Sequence, residues 1–241
     1  DKLVTGVQTC ALPIFMGTNE ETGSACVRHY VEKLGPVDCG FTPDGNFPLV
    51  FSEKGMVAAD LVGKSEHIHA IKAGNARNIV PSLCEITLDD GCFDKEKLNC
   101  FLTDNNITYE YENGHLSVHG TASHASLPEN GVNALSHAIE GLWKAGLRDD
   151  FTNAYHKLVG LDYNGNNAGI GLKDEYGILT MNLSVASKEN DTVRVSIDIR
   201  SPATLDSRDV AAALKECGKD NIIIHDTVDP LFFPLDHPID R

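Results

Sequence analysis

The chain has 241 residues, with 20 Lys and Arg against 35 Asp and Glu, a formal net charge of -15 and 41% hydrophobic residues. This is a globular composition long enough to bury a substantial core, and no apolar run approaches the roughly 20 residues that would span a bilayer, so membrane insertion is excluded for this sequence. The acidic balance, with Lys and Arg scattered singly, argues against nucleic acid as a partner. The seven Cys form no C-x-x-C pair, which fits a reducing, cytoplasmic setting without structural disulfides.

The leader DKLVTGVQTCALPI has neither helical nor alternating periodicity. Its run Val4–Ile14 resembles an in-frame translation of a widely used sequencing adapter, so residues 1–14 are expected to be a non-native leader. On that reading the natural start is missing, and the Pro-punctuated ending PLFFPLDHPIDR points to truncation there as well. After Phe15, the segment GTNEETG reads as a turn leading into a helix whose apolar positions are Ala25, Val27, Tyr30, Val31 and Leu34, closed by Gly35-Pro36. Residues 37–55 read as short extended pieces broken by Pro43-Asp44-Gly45 and Pro48, and Met56–Val62 with His67–Ala73 reads as a strand pair. Cys84–Leu88 predicts a strand, Asp94–Asp104 a helix, and Ile107–Tyr111 with His115–His119 a hairpin around Asn113-Gly114.

A long amphipathic helix is predicted over Val132–Leu147, with looser helical spacing through Phe151–Val159 and a Gly/Asn-rich loop over 164–171. The period then changes to two. Ile178–Ala186 and Thr192–Ile199 predict an antiparallel hairpin, followed by a helix over Ser207–Cys217 and a strand over Ile222–His225. The mixed order of elements implies α/β together with α+β material rather than a bundle or an all-β sandwich.

Chemistry concentrates first in Gly17-Thr18-Asn19-Glu20-Glu21-Thr22-Gly23. Adjacent carboxylates on such a turn point apart, so one can ligate a metal while its neighbour stays free beside a metal-bound water. Thr18 and Glu21 also have the spacing of a capping box, and that plainer reading stands beside the catalytic one. His67-x-His69 places two imidazoles on one face of a strand, but no third ligand is evident in the sequence and a solvated face is the plainer reading.

Four segments in order, GTNEETG, GFTPDGNFPLVFSEKG, HGTASHASLPENGVNAL and DIRSPAT, together resemble the PepV-type dipeptidases, zinc-dependent members of the aminoacylase and carboxypeptidase superfamily. The resemblance runs over nearly all of residues 15–241. It implies an α/β fold in which a fragment of a zinc-peptidase catalytic domain, residues 15–55, is interrupted by a large inserted α+β lid domain, residues 56–230. Residues 231–241 would begin the return to the catalytic domain.

Position by position, the resemblance makes Glu20 the general base and Glu21 and Asp44 zinc ligands. It makes His124 the group that reaches the scissile carbonyl and stabilises its oxyanion. Arg200 would bind the substrate's terminal carboxylate, for which a planar guanidinium is suited, and Asn78 would contact the substrate backbone. Taken without the resemblance, Asp44 is an ordinary turn residue, His124 a packed or capping loop histidine, and Arg200 a solvated strand-end arginine. Asn133 reads as the residue that fixes a loop-to-helix junction, and His225 and His237 read as structural.

The resemblance thus implies hydrolysis of dipeptides by a monomeric cytoplasmic enzyme with two zinc ions, manganese or cobalt remaining open. The family's H-x-D ligand pair, its bridging Asp and its late His ligand are not among these residues, and two carboxylates alone make a weak zinc site. The chain by itself is therefore expected to be inactive. The alternatives are an N-acyl amino acid deacylase of the same superfamily and a non-catalytic homologue acting through its lid.

Overall fold

A computed structural model describes residues 14–18, 24–37 and 50–234. The chain divides into two compact units, residues 1–49 and 50–241. In the first unit, helix α1 (Ala25–Leu34) has Ser24 at its N-cap, and Glu21 of the expected capping box lies outside the described residues. It closes at Gly35, where φ is 81°, a left-handed conformation that glycine adopts without a Cβ penalty. Phe15 packs edge-on against Tyr30 with ring centroids 4.7 Å apart.

The second unit contains ten strands among its described residues. These are β1 (Ser52–Glu53), β2 (Gly55–Lys64), β3 (Ile68–Ala73), β4 (Leu83–Leu88), β5 (Tyr109–Glu112), β6 (His115–His119), β7 (Thr180–Glu189), β8 (Thr192–Ser201), β9 (Ile222–Val228) and β10 (Leu231–Phe232). Its helices are α2 (Lys95–Asp104), α3 (Ala134–Lys144), α4 (Asp150–Leu158) and α5 (Ser207–Gly218). Eight strands make one sheet in the order β5-β6-β4-β3-β7-β8-β2-β9, and β1 pairs with β10 apart from it. All pairings are antiparallel, so this unit is a mixed helix-and-strand fold of the α+β kind.

Both expected hairpins form. Asn113 and Gly114 sit at φ 50° and 79°, the paired positive values that a tight β5–β6 turn requires. One expectation fails: β2 and β3 do not pair with each other. The β7–β8 hairpin lies between them, with β8 matching β2 along its whole length from Gly55↔Ser201 to Lys64↔Thr192. The link from β2 to β3 instead passes across the tip of that hairpin, where the Ser65 amide donates to Asp191 O at 2.9 Å and Lys188 Nζ donates to Ser65 O at 2.9 Å. The two ten-residue strands of the hairpin offer β2 a longer ladder than the six-residue β3 could.

One face of the sheet is apolar and carries the helices. Val57, Ala59 and Leu61 of β2 and Val193, Val195, Ile197 and Ile199 of β8 are buried against Leu135, Ile139, Leu142, Phe151 and Leu214. Each large side chain withdrawn from water in this way contributes about 1.5–3 kcal/mol. Gly63 lets α4 approach closely, since a Cβ there would lie 2.6 Å from Phe151 Cα.

Helix α3 is shorter than the expected Val132–Leu147, and polar caps set where α3 and α4 begin. Asn133 accepts from the Ser136 amide at 3.0 Å and starts α3 at Ala134 rather than at Val132. Asp149 and Thr152 form a reciprocal capping box at α4, which satisfies otherwise orphaned amides. Among the described residues no helix is long and apolar enough to cross a membrane.

Candidate substrate-binding site

The other sheet face is polar. Register places Asp60, Ser196, Asp198 and Arg200 on it, and across the ladder Asn182 stands opposite Asp198 and Thr180 opposite Arg200. Directly opposed residues project to the same side of a sheet. Arg200 is folded onto its neighbour, with Nε donating to Asp198 Oδ1 at 2.7 Å and Nη2 to Oδ2 at 3.0 Å. The Arg200 side chain is 24% exposed and that of Asp198 6%, so a buried carboxylate holds the guanidinium in one plane at the end of β8.

Two loops meet beside this pair. Ile79 and His124 form an antiparallel bridge, the Val80 amide donates to Ser123 O, and the Ala125 amide donates to Asn78 O, both at 2.9 Å. The segments carrying Asn78 and His124 are therefore hydrogen-bonded to each other. Buried Asn182 ties them to the sheet by donating to Ile79 O at 3.2 Å, and Asn133 Nδ2 donates to Leu183 O at 2.7 Å. Asn182 faces Asp198, the partner of Arg200, so Asn78, His124 and Arg200 belong to one polar neighbourhood.

His124 is exposed, and its Nδ1 accepts from the Ser126 amide at 3.2 Å and lies 2.7 Å from Ser126 Oγ. A neutral ring that accepts the backbone N–H at Nδ1 leaves Nε2 as its donor. The Asn78 side-chain amide makes no hydrogen bond among the described residues. Glu20, Glu21 and Asp44, the residues expected to act as base and metal ligands, lie outside the described residues. Among the described residues no group of three or more His, Cys, Asp or Glu side chains could hold a metal ion.

Sequence reasoning missed a second assembly on this face. Asp60 is 2% exposed and receives Arg77 Nη2 at 3.0 Å, Arg194 Nη1 at 2.7 Å and His225 Nε2 at 2.8 Å. Burial pushes its pKa upward, but the hydrogen bonds from Arg194 and His225 and the Arg77 charge outweigh it, leaving the carboxyl below its ordinary range. Arg77 adjoins Asn78, so this pair anchors the Asn78 loop to β2. The four residues are far apart in sequence, and nothing local signals their meeting. Asp198 was more accessible to reasoning, because Asp-x-Arg in DIRSP puts both side chains on one strand face.

His67 and His69 share one acid: His67 Nδ1 lies 3.2 Å and His69 Nε2 2.7 Å from the Asp89 carboxylate, with all three side chains exposed. An open groove lined by Phe93, Lys95, Leu98, Tyr109 and Tyr111 lies toward the β5 edge, away from Arg200.

No family model matches the chain. In sequence it is similar to dipeptidases. It is 28% identical over 247 residues to "Putative dipeptidase YtjP" of Bacillus subtilis, covering 94% of this chain and 53% of that protein. It is 25% identical over 175 residues to the Beta-Ala-Xaa dipeptidase of Lactobacillus delbrueckii, covering 66% of this chain and 37% of that protein. The chain thus spans about half the length, or less, of these curated relatives. Among solved structures, the aminoacylhistidine dipeptidase of Vibrio alginolyticus matches with a TM-score of 0.35 and 12% identity, covering 79% of this chain and 47% of that one.

Proposed function

We propose that this chain is the substrate-holding part of a cytoplasmic dipeptidase of the PepV type. The reading is carried by the meeting of the Asn78 and His124 loops beside the Arg200–Asp198 pair, in a chain similar to dipeptidases along 94% of its length. Arg200 receives the carboxylate of the peptide's last residue, because a planar fork of donors suits that group. Asn78 offers its unengaged amide to the peptide backbone. His124 donates from Nε2 to the scissile carbonyl oxygen as negative charge develops there.

The hydrolytic step belongs, on this proposal, to the longer protein, with Glu20 as general base. Glu21 and Asp44 are two of its zinc ligands, and two bound zinc ions would supply an activated water. Two carboxylates do not complete such a site by themselves, so the 241-residue chain alone is expected to be inactive. A reducing location agrees with the free thiols of Cys84, Cys92, Cys100 and Cys217.

The test is turnover of a dipeptide panel and of N-acetyl amino acids by the full-length protein, before and after Glu20→Ala. Dipeptide cleavage reduced roughly 100-fold or more by the substitution supports the reading. Preference for N-acetyl amino acids, or full activity without Glu20, would overturn it.

A further inference from the structure

A second cation, Lys54, lies beside the Arg200–Asp198 pair at the end of β8. Lys54 precedes β2 and Ile178 precedes β7, and in the order β7-β8-β2 they stand on either side of β8. The pairings Gly55↔Ser201 and Thr180↔Arg200 set both of them level with the residue that follows Ser201. Lys54 Nζ nevertheless donates to Ile178 O at 2.6 Å, so the lysine side chain spans the end of β8 next to Arg200. Glu129 and Asp174 act on it only through space, and its pKa is lowered by burial first and further by the Arg200 charge. Lys54 and Arg200 therefore stand together at this end, with Asp198 beyond Arg200 along β8 and the Glu129 and Asp174 charges also acting on Lys54.

Arg200 retains donors for a ligand. Asp198 occupies Nε and one Nη2 hydrogen, and a guanidinium has five N–H donors in a planar fork. The outer edge, formed by Nη1 and the second Nη2 hydrogen, is the one left for an incoming carboxylate. Directly across the ladder, Thr180 is 5% exposed and its Oγ1 has no hydrogen-bond partner. A buried hydroxyl without a partner is unfavourable, and this one stands opposite Arg200 in the ladder.

We propose that Lys54 is a second cation of the substrate-carboxylate site, binding together with Arg200 the α-carboxylate of the peptide's C-terminal residue. The inference rests on the dipeptide reading above and adds a residue to it. Because Lys54 Nζ uses one of its three donors on Ile178 O, two remain for the ligand.

Isothermal titration of the 241-residue chain with alanylalanine and with alanylalanine amide tests this, using the native chain, Lys54→Met, Lys54→Arg and Arg200→Met. Lys54→Met is expected to weaken alanylalanine binding about tenfold, as loss of one charged hydrogen bond does. Lys54→Arg should restore most of that loss, and neither should alter the weak binding of the amide. In the native chain the NMR signal of the Lys54 ammonium should shift with alanylalanine and not with the amide, which also decides the matter if Lys54→Met fails to fold. Unchanged binding in Lys54→Met, with binding lost in Arg200→Met, would overturn the role of Lys54 and leave the dipeptide reading standing. No binding of alanylalanine to the native chain, or no preference for it over the amide, would overturn both.

Discussion

Replacing Asp60 by Asn should expose how far one buried carboxylate organises the polar face. Its 3% exposed side chain receives two guanidiniums and an imidazole, each 40–43% exposed. Removing one member of a buried ion pair costs about 3–5 kcal/mol because it strands its partners. Here the partners are partly solvated and can turn to water, which sets the expectation near the lower bound, about 3 kcal/mol. For a unit of this size that corresponds to a fall in Tm of about 6–12 °C.

The pH dependence has a definite sign. Asp60 has a folded pKa below its unfolded value of about 3.9, so its contribution is fully present above that value and is lost as pH falls through the depressed folded value. Urea unfolding followed by far-UV circular dichroism should show the gap between native chain and Asp60→Asn at its full size at about pH 7, narrowing below about pH 4. A gap under about 0.5 kcal/mol at neutral pH, the scale of an ordinary surface change, would refute the reasoning, as would a gap that does not narrow in acid.

Three further outcomes are expected. Gly63→Ala should destabilise by about 1–3 kcal/mol in the same assay, because its Cβ would lie 2.6 Å from Phe151 Cα and 2.9 Å from Phe151 N, backbone atoms that cannot swing aside. Asn182→Leu should speed hydrogen exchange at the Val80 and Ala125 amides, since it removes the donor to Ile79 O that fastens the two loops to the sheet. Unchanged protection of both amides would show that the loops are held by other contacts. In a thiol-reagent time course Cys100, which is exposed, should react early, whereas Cys84 should react only on unfolding, because burial pushes its thiol far above the ordinary range.

The local elements were legible because they are encoded by neighbours in sequence. Asn113-Gly114 specifies a tight turn wherever it falls between alternating segments, and the apolar spacing of α3 or α5 marks a buried stripe whatever it packs against. Helix ends were less legible: Asn133 caps α3 inside the apolar run that the period alone would begin at Val132. The candidate site was partly legible. Arg200 and its Asp198 partner lie two residues apart on one strand, and Asn78 and His124 stand in recognisable segments.

From the sequence alone came the element types, the acidic globular class, the resemblance to dipeptidases and the names of the candidate residues. Only the tertiary structure decided that the β7–β8 hairpin separates β2 from β3, that Arg77, Arg194 and His225 converge on Asp60, and that Lys54 crosses the end of β8 to reach Ile178. The physical reason is the same in each case. Turns, caps and periodicity act between residues within a few positions, whereas strand partners and buried ion pairs are chosen by ladder length, burial and charge among segments distant along the chain.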